Sequence, residues 1–169
     1  MTKNVREMNE NDISVLFQNA RLKQSSYFIL HSVLGYSLTE WKVECLERLR
    51  KSYRDLVVEE PSSTLWGAIR LGPEDTISRM IRVQPLVLSV RPEGETLMQE
   101  SLKSVIEKLF LFKNITRFCS FIFPWEEEEK RLLEGNGFEK EGVLSRQIYF
   151  RGVYHDLLMF GTDRGKWDE

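Results

Sequence analysis

His155 and Asp156 stand side by side near the C-terminus, with Tyr149 a short step upstream. A histidine titrates near neutral pH and can exchange a proton, so His155 and Tyr149 are the side chains best suited to proton transfer. Bland readings stand beside these. His155 and Asp156 also read as a hydrogen-bonded pair on a strand, and Tyr149 as a packing residue. His31 lies in an apolar stretch, Ser25 to Leu34, and reads as structural. Two histidines and two cysteines are scattered without metal-ligand spacing, so no metal site is expected. No nucleophile elbow and no nucleotide-binding glycine motif is present.

The elements around these residues are legible. Gly135, Asn136 and Gly137 follow an acidic, Leu-bearing stretch and read as a helix stop. Phe138 to Val143, Gln147 to Phe150 and Val153 to Phe160 read as strands, with Arg151-Gly152 as the turn between the last two. Upstream, Asn11-Asp12 reads as an N-cap for a helix carrying Ile13, Leu16, Phe17 and Ala20. Ser37-Leu-Thr-Glu40 is a capping box. Leu38, Trp41, Cys45, Leu49 and Tyr53 then trace the apolar face of a helix to about Arg54, with Lys42, Glu44, Glu47, Arg48 and Lys51 on its solvated face. Asp55 to Glu59 and Leu65 to Leu71 read as paired strands. Thr76 to Val83 reads as a loop or as the start of a strand, and Leu86 to Val90 as a short apolar strand. Glu95 opens a long helix ending near Asn114, Ile115 to Phe123 is a strand, and Pro124-Trp125 opens a helix through Glu134. The run Glu126 to Glu129 complements the positive end of that helix.

At 169 residues the chain reads as one domain, 1–169, long enough to bury a substantial core. Its 41% apolar and 30% charged residues are those of a soluble globular protein. A net charge of −2 and a pI near 5.9 argue against nucleic acid as a partner. No apolar run reaches the ~20 residues of a membrane helix, and Met1 to Ser14 has no secretory pattern. Cys45 and Cys119 read as reduced core thiols of a cytoplasmic protein.

The ordered segments Gly137-Phe138, Glu141-Gly142, Tyr149, Arg151-Gly152 and Tyr154-His155-Asp156-Leu157 carry a resemblance. They resemble the C-terminal part of GNAT-superfamily N-acetyltransferases, especially the branch that includes the ribosomal-protein N-acetyltransferases. The resemblance implies an α/β (α+β) fold, with a mixed, mostly antiparallel central sheet flanked by helices. It also implies transfer of an acetyl group from acetyl-CoA to a primary amine by direct attack. In that family the central strand splays from its neighbour and its backbone holds the pantetheine arm. A following loop of the pattern Arg/Gln-x-x-Gly-x-Gly/Ala meets the pyrophosphate at a helix N-terminus.

By order, the central strand is Leu86 to Val90 and the loop Arg91 to Thr96. Leu88, Ser89 and Val90 would then supply backbone contacts, and Arg91, Gly94, Glu95, Thr96 and Leu97 would surround the pyrophosphate, with Thr96 as the N-cap. The loop is short, has the single glycine Gly94, and carries Glu93 and Glu95, whose charges would repel a pyrophosphate. On this reading Gly94→Asp abolishes CoA binding without unfolding the chain. Leu133 stands where many family members place an acidic Tyr, the usual Asn falls in the Glu run near Glu128, and Leu86 to Val90 carries no acid. Glu59, Glu60 or Glu126 would substitute as general base, beside Tyr149 and His155.

Three readings follow. The first is an N-acetyltransferase for a small-molecule amine or a protein N-terminus, compatible with a homodimer and needing neither nucleic acid nor membrane. The second is a non-catalytic protein of the same fold, sensing a CoA ligand or serving as a partner subunit, with Trp41, Trp125 or Trp167 exposed for contact. The third is an unrelated α/β binding domain.

Overall fold

The computed structural model describes residues 4–29, 37–60, 62, 64–88 and 91–167, and His31, Ser89 and Val90 lie outside them. Its elements in chain order are β1 (Val5–Glu7), α1 (Glu10–Leu22), α2 (Ser26–Ile29), α3 (Leu38–Arg50), β2 (Arg54–Glu59), β3 (Leu65–Leu71) and β4 (Met80–Val87). There follow α4 (Pro92–Phe112), β5 (Arg117–Ile122), α5 (Glu127–Gly135), β6 (Glu139–Phe150) and β7 (Val153–Asp163), closed by a 3-10 turn at Arg164–Lys166. The seven strands form one sheet in the order β1-β2-β3-β4-β5-β7-β6. Every pairing is antiparallel except β4 with β5. This is the mixed, mostly antiparallel sheet that the sequence implies.

Strand alternation sends side chains to opposite faces of the sheet. Leu56, Val58, Ile69, Leu71 and Val83 join Met98, Leu102 and Ile106 of α4 and Leu132 and Leu133 of α5 in one core. Val57, Ala68 and Leu86 join Ile13, Leu16 and Phe17 of α1, Tyr27 of α2 and Trp41 and Cys45 of α3 in a second. The sheet is therefore the middle of three layers. Cys45 and Cys119 are buried free thiols. No helix among the described residues is long and apolar enough to cross a membrane.

Several boundaries differ from the sequence reading for physical reasons. The N-cap of α1 is Asn9, whose side chain accepts the Asn11 and Asp12 N–H groups, and Asp12 is the N3 partner of a capping box. The Ser37/Glu40 box does close before α3. That helix stops at Arg50, and Ser52, at φ 64°, turns the chain into β2. Arg48 is buried rather than solvated, and Trp41 is 2% exposed, so it is a core residue and no partner contact. β6 is one continuous strand with two irregularities rather than two separate strands. Arg151 and Gly152 form its turn to β7 with φ values of 52° and 83°. β1 was not foreseen, because three residues are too few to display an alternation.

Candidate active site

β4 differs most from the sequence reading. The strand starts at Met80 and ends at Val87, whereas in sequence Thr76 to Val83 reads as a loop or the start of a strand and Leu86 to Val90 as a separate strand. β4 pairs with β3 along Val83 to Val87, but with β5 only at Met80↔Arg117, Ile81↔Phe118 and Arg82↔Cys119. Beyond that point β4 and β5 part. Leu88 and Arg82 bond to β3, so the main-chain groups of Val83, Pro85 and Val87 face the β5 side. Proline has no N–H to offer a ladder and is tolerated where pairing ends. Pro85 therefore costs β4 nothing at the site where the neighbour departs. Gln84 spans the gap, donating from Nε2 to Ser26 Oγ at 2.5 Å and to the Phe121 carbonyl at 2.8 Å.

At the end of the parting, both main-chain groups of Val87 are met by side chains. Its N–H donates to Glu129 Oε1 at 2.9 Å, and its carbonyl accepts from Lys23 Nζ at 2.6 Å. Lys23 caps the C-terminus of α1, and its ammonium also lies 3.6 Å from Glu129 Oε1 and 3.8 Å from Glu128 Oε2. The Glu129 side chain is 1% exposed, and its Oε2 has no hydrogen-bond partner. Such an orphaned buried oxygen is expensive, by about 1–3 kcal/mol or more for a charged group.

Glu126, just before α5, is buried one helical step away. Its carboxylate accepts from Ser25 Oγ (2.7 Å), the Ser26 N–H (2.9 Å) and the Phe123 N–H (2.7 Å). Burial, and then the charge of Glu129, push its carboxyl up to about 7. Trp125 stacks on Phe123 with ring centroids 4.4 Å apart, and His155 meets Trp125 edge-on at 5.1 Å. The arrangement has three chemical capacities. A directed strand N–H can polarise a carbonyl, the adjacent strand C=O can hold an ammonium, and a buried carboxylate beside both can take a proton.

The sequence-predicted residues are not gathered at this point. Glu59 is bound by Arg6 through both carboxylate oxygens at 2.8 Å, on a strand two places from β4. Tyr149 is 61% exposed near the β6–β7 turn, packed on Tyr154. His155 is nearest, through Trp125, but its Nε2 engages the Phe150 carbonyl at 3.1 Å. Glu126 alone of the proposed acids is buried beside Glu129. The helix-end account of the Glu run leaves out Glu126 and Glu129, which are buried at 4% and 1% exposure. Their spacing with Leu132 and Leu133 on one helical stripe was the available signal.

The loop assignment also shifts. α4 begins at Pro92, with Arg91 as its N-cap, so Thr96 is inside the helix and donates from Oγ1 to the Pro92 carbonyl. Glu95 pairs with Arg131 at 3.4 Å, away from β4. A Cβ on Gly94 would meet the Trp66 ring at 2.0 Å, so this glycine lets α4 lie against β3. Among the described residues no cluster of His, Cys, Asp or Glu is placed to hold a metal ion.

No protein-family model matches the sequence, and no curated protein matches it. Solved structures do match. The spermidine N-acetyltransferase of Vibrio cholerae, in complex with CoA and spermine, superposes with a TM-score of 0.76 at 19% identity, over 98% of this chain and 97% of that one. The dodecameric structure of the same acetyltransferase in an intermediate state gives 0.73 at 19% identity, over 96% and 94%. This is the GNAT fold. Within the GNAT layout the splaying central strand is β4, Met80–Val87, and the backbone groups at its parting are those of Val87. Leu133 is fully buried in the α4–α5 core, so the position expected for an acidic Tyr serves packing here.

Proposed function

We propose that this chain is an N-acetyltransferase that moves an acetyl group from acetyl-CoA to a primary amine. The observation that carries the reading is Val87, whose N–H and C=O leave the sheet together where β4 parts from β5. The Val87 N–H would donate to the thioester carbonyl in place of Glu129. The Val87 carbonyl would accept the amine in place of Lys23. Glu129, freed from Val87, would take the proton the amine sheds. The residues fit such a substrate, because Glu129 Oε1 already shows that an acceptor oxygen seats at that N–H and its Oε2 is without a partner. Polyamines are the first amines to try, since the Vibrio cholerae protein is a spermidine N-acetyltransferase crystallised with spermine. Self-association and a cytoplasmic setting with reduced thiols belong to the same reading.

One observation favours a second, non-catalytic reading. Glu129 and Lys23 already satisfy both groups of Val87, so the site is closed on itself. One experiment separates the two. Purified protein is given acetyl-CoA with spermidine, spermine or a peptide bearing a free N-terminus, and free thiol release is followed beside the unfolding midpoint. Acetyl-CoA at a hundredfold over its dissociation constant adds about 2.7 kcal/mol, or about 5–10 °C for a domain of this size. Amine-dependent thiol release supports the transferase. A midpoint shift without release supports the ligand sensor. The absence of both signals refutes acetyl-CoA as a ligand.

A further inference from the structure

Lys23 holds a position that no other lysine among the described residues shares. Its ammonium is 2.6 Å from the Val87 carbonyl and 3.6 Å from Glu129 Oε1, the oxygen seated on the Val87 N–H. In the transferase reading, the thioester oxygen takes the place of that oxygen. A lysine nitrogen 3.6 Å from the oxygen lies within reach of the carbonyl carbon bonded to it, because near-attack geometry places reacting atoms about 3–3.5 Å apart. Lys103 pairs with Glu107, Lys130 with Glu127 and Lys166 with Glu139, all at exposed or half-exposed positions.

From this geometry we infer that Lys23 is a self-acetylation site, an acceptor built into the chain. The inference rests on the transferase reading of the same cleft. Glu129 removes one proton from the Lys23 ammonium. The Nζ lone pair then forms the N–C bond to the acetyl carbon, and the C–S bond breaks with its electron pair leaving on sulfur. The second nitrogen proton passes to that thiolate, giving CoA thiol and N-acetyl-lysine, and Glu129 returns its proton to solvent. The product is neutral, so the contacts of Lys23 with Glu128 and Glu129 cease to be ion pairs.

The test uses the full chain and isotope-labelled acetyl-CoA, with peptide mass spectrometry for the site and the unfolding midpoint for binding. Folded protein is expected to carry label at Lys23 roughly a hundredfold above its surface lysines, the preference vanishing in the urea-unfolded chain. The rate per chain is expected to be independent of protein concentration. Lys23→Arg is expected to lose the preferred label, and Glu129→Gln to slow labelling by about a hundredfold. A midpoint shift with Lys23 labelled no faster than surface lysines overturns the inference and leaves the transferase reading standing. No midpoint shift and no label overturns both. Labelling that speeds up with protein concentration places the acceptor on another copy and overturns the intramolecular step.

Discussion

Glu126 and Glu129 face one another's field inside the cleft, which makes the pH dependence of stability the sharpest consequence of this structure. The Glu126 carboxyl is pushed from 4.5 to about 7, first by burial and then by the Glu129 charge. The folded state therefore holds a proton that the unfolded chain has released over that interval. Stability from this group is fully present below pH 4.5 and is lost as pH rises through about 7. The distance between the two values corresponds to about 3 kcal/mol. For 169 residues that is about 6–12 °C in the unfolding midpoint.

The perturbation that isolates the pair is Glu129→Gln. The amide oxygen can still accept the Val87 N–H, but the charge that raises Glu126 is gone, so only burial remains to lift it. Urea unfolding at a series of pH values from 5 to 8 measures this directly. Wild type is expected to lose about 3 kcal/mol across that range, and Glu129→Gln a clearly smaller amount. Wild-type stability that rises with pH, or a Glu129→Gln curve parallel to wild type, would refute the coupled-pair reasoning. A parallel curve would assign the loss to other carboxylates.

Two further outcomes follow from packing. Gly94→Asp drives a side chain into the Trp66 ring, so it is expected to lower stability by about 1–3 kcal/mol or more, seen as an earlier urea midpoint; an unchanged midpoint would remove the packing role. Asp55→Ala strips Arg70 (Nε–Oδ1 2.6 Å) and the Tyr27 hydroxyl (2.8 Å) of their buried acceptor and is expected to cost about 3–5 kcal/mol, with Asp55→Leu plus Arg70→Met recovering much of it; a loss under 1 kcal/mol in the single variant would contradict the burial of this pair.

The fold was legible wherever local chemistry and tertiary position agree. Leu65 to Leu71 is a strand in both readings, the Ser37/Glu40 box closes as its spacing requires, and Gly137 takes φ 72° just past α5. The ordered C-terminal segments led to the right fold because they are strand and turn signals held by neighbours close in sequence. The reading failed where distant parts of the chain supply the reason. Thr76 to Val83 and Leu86 to Val90 read as separate segments, but they lie on one strand through Pro85, which β5 leaves without a partner on that side. Gly94 reads as a phosphate glycine until Trp66, from another strand, is seen against it.

The same distinction explains the site. A run of four glutamates at a helix start has an adequate local account in the helix dipole, and for Glu127, paired with Lys130 of its own helix, that account suffices. Glu126 and Glu129 share a stripe with Leu132 and Leu133, and that stripe faces the parted strands. What draws carboxylates inside is the hydrogen-bonding demand of backbone that the parting leaves without a ladder partner. Val87 needs an acceptor and a donor, the Ser26 and Phe123 N–H groups need an acceptor, and Glu129, Lys23 and Glu126 supply them. Those demands come from residues up to 101 positions apart, as in the Ser25–Glu126 bond, so no window of sequence could have displayed them. A splayed sheet must satisfy its exposed edge with either a ligand or its own side chains. This chain does so with a carboxylate and an ammonium, the two charges that an acetyl donor and an amine would have to displace.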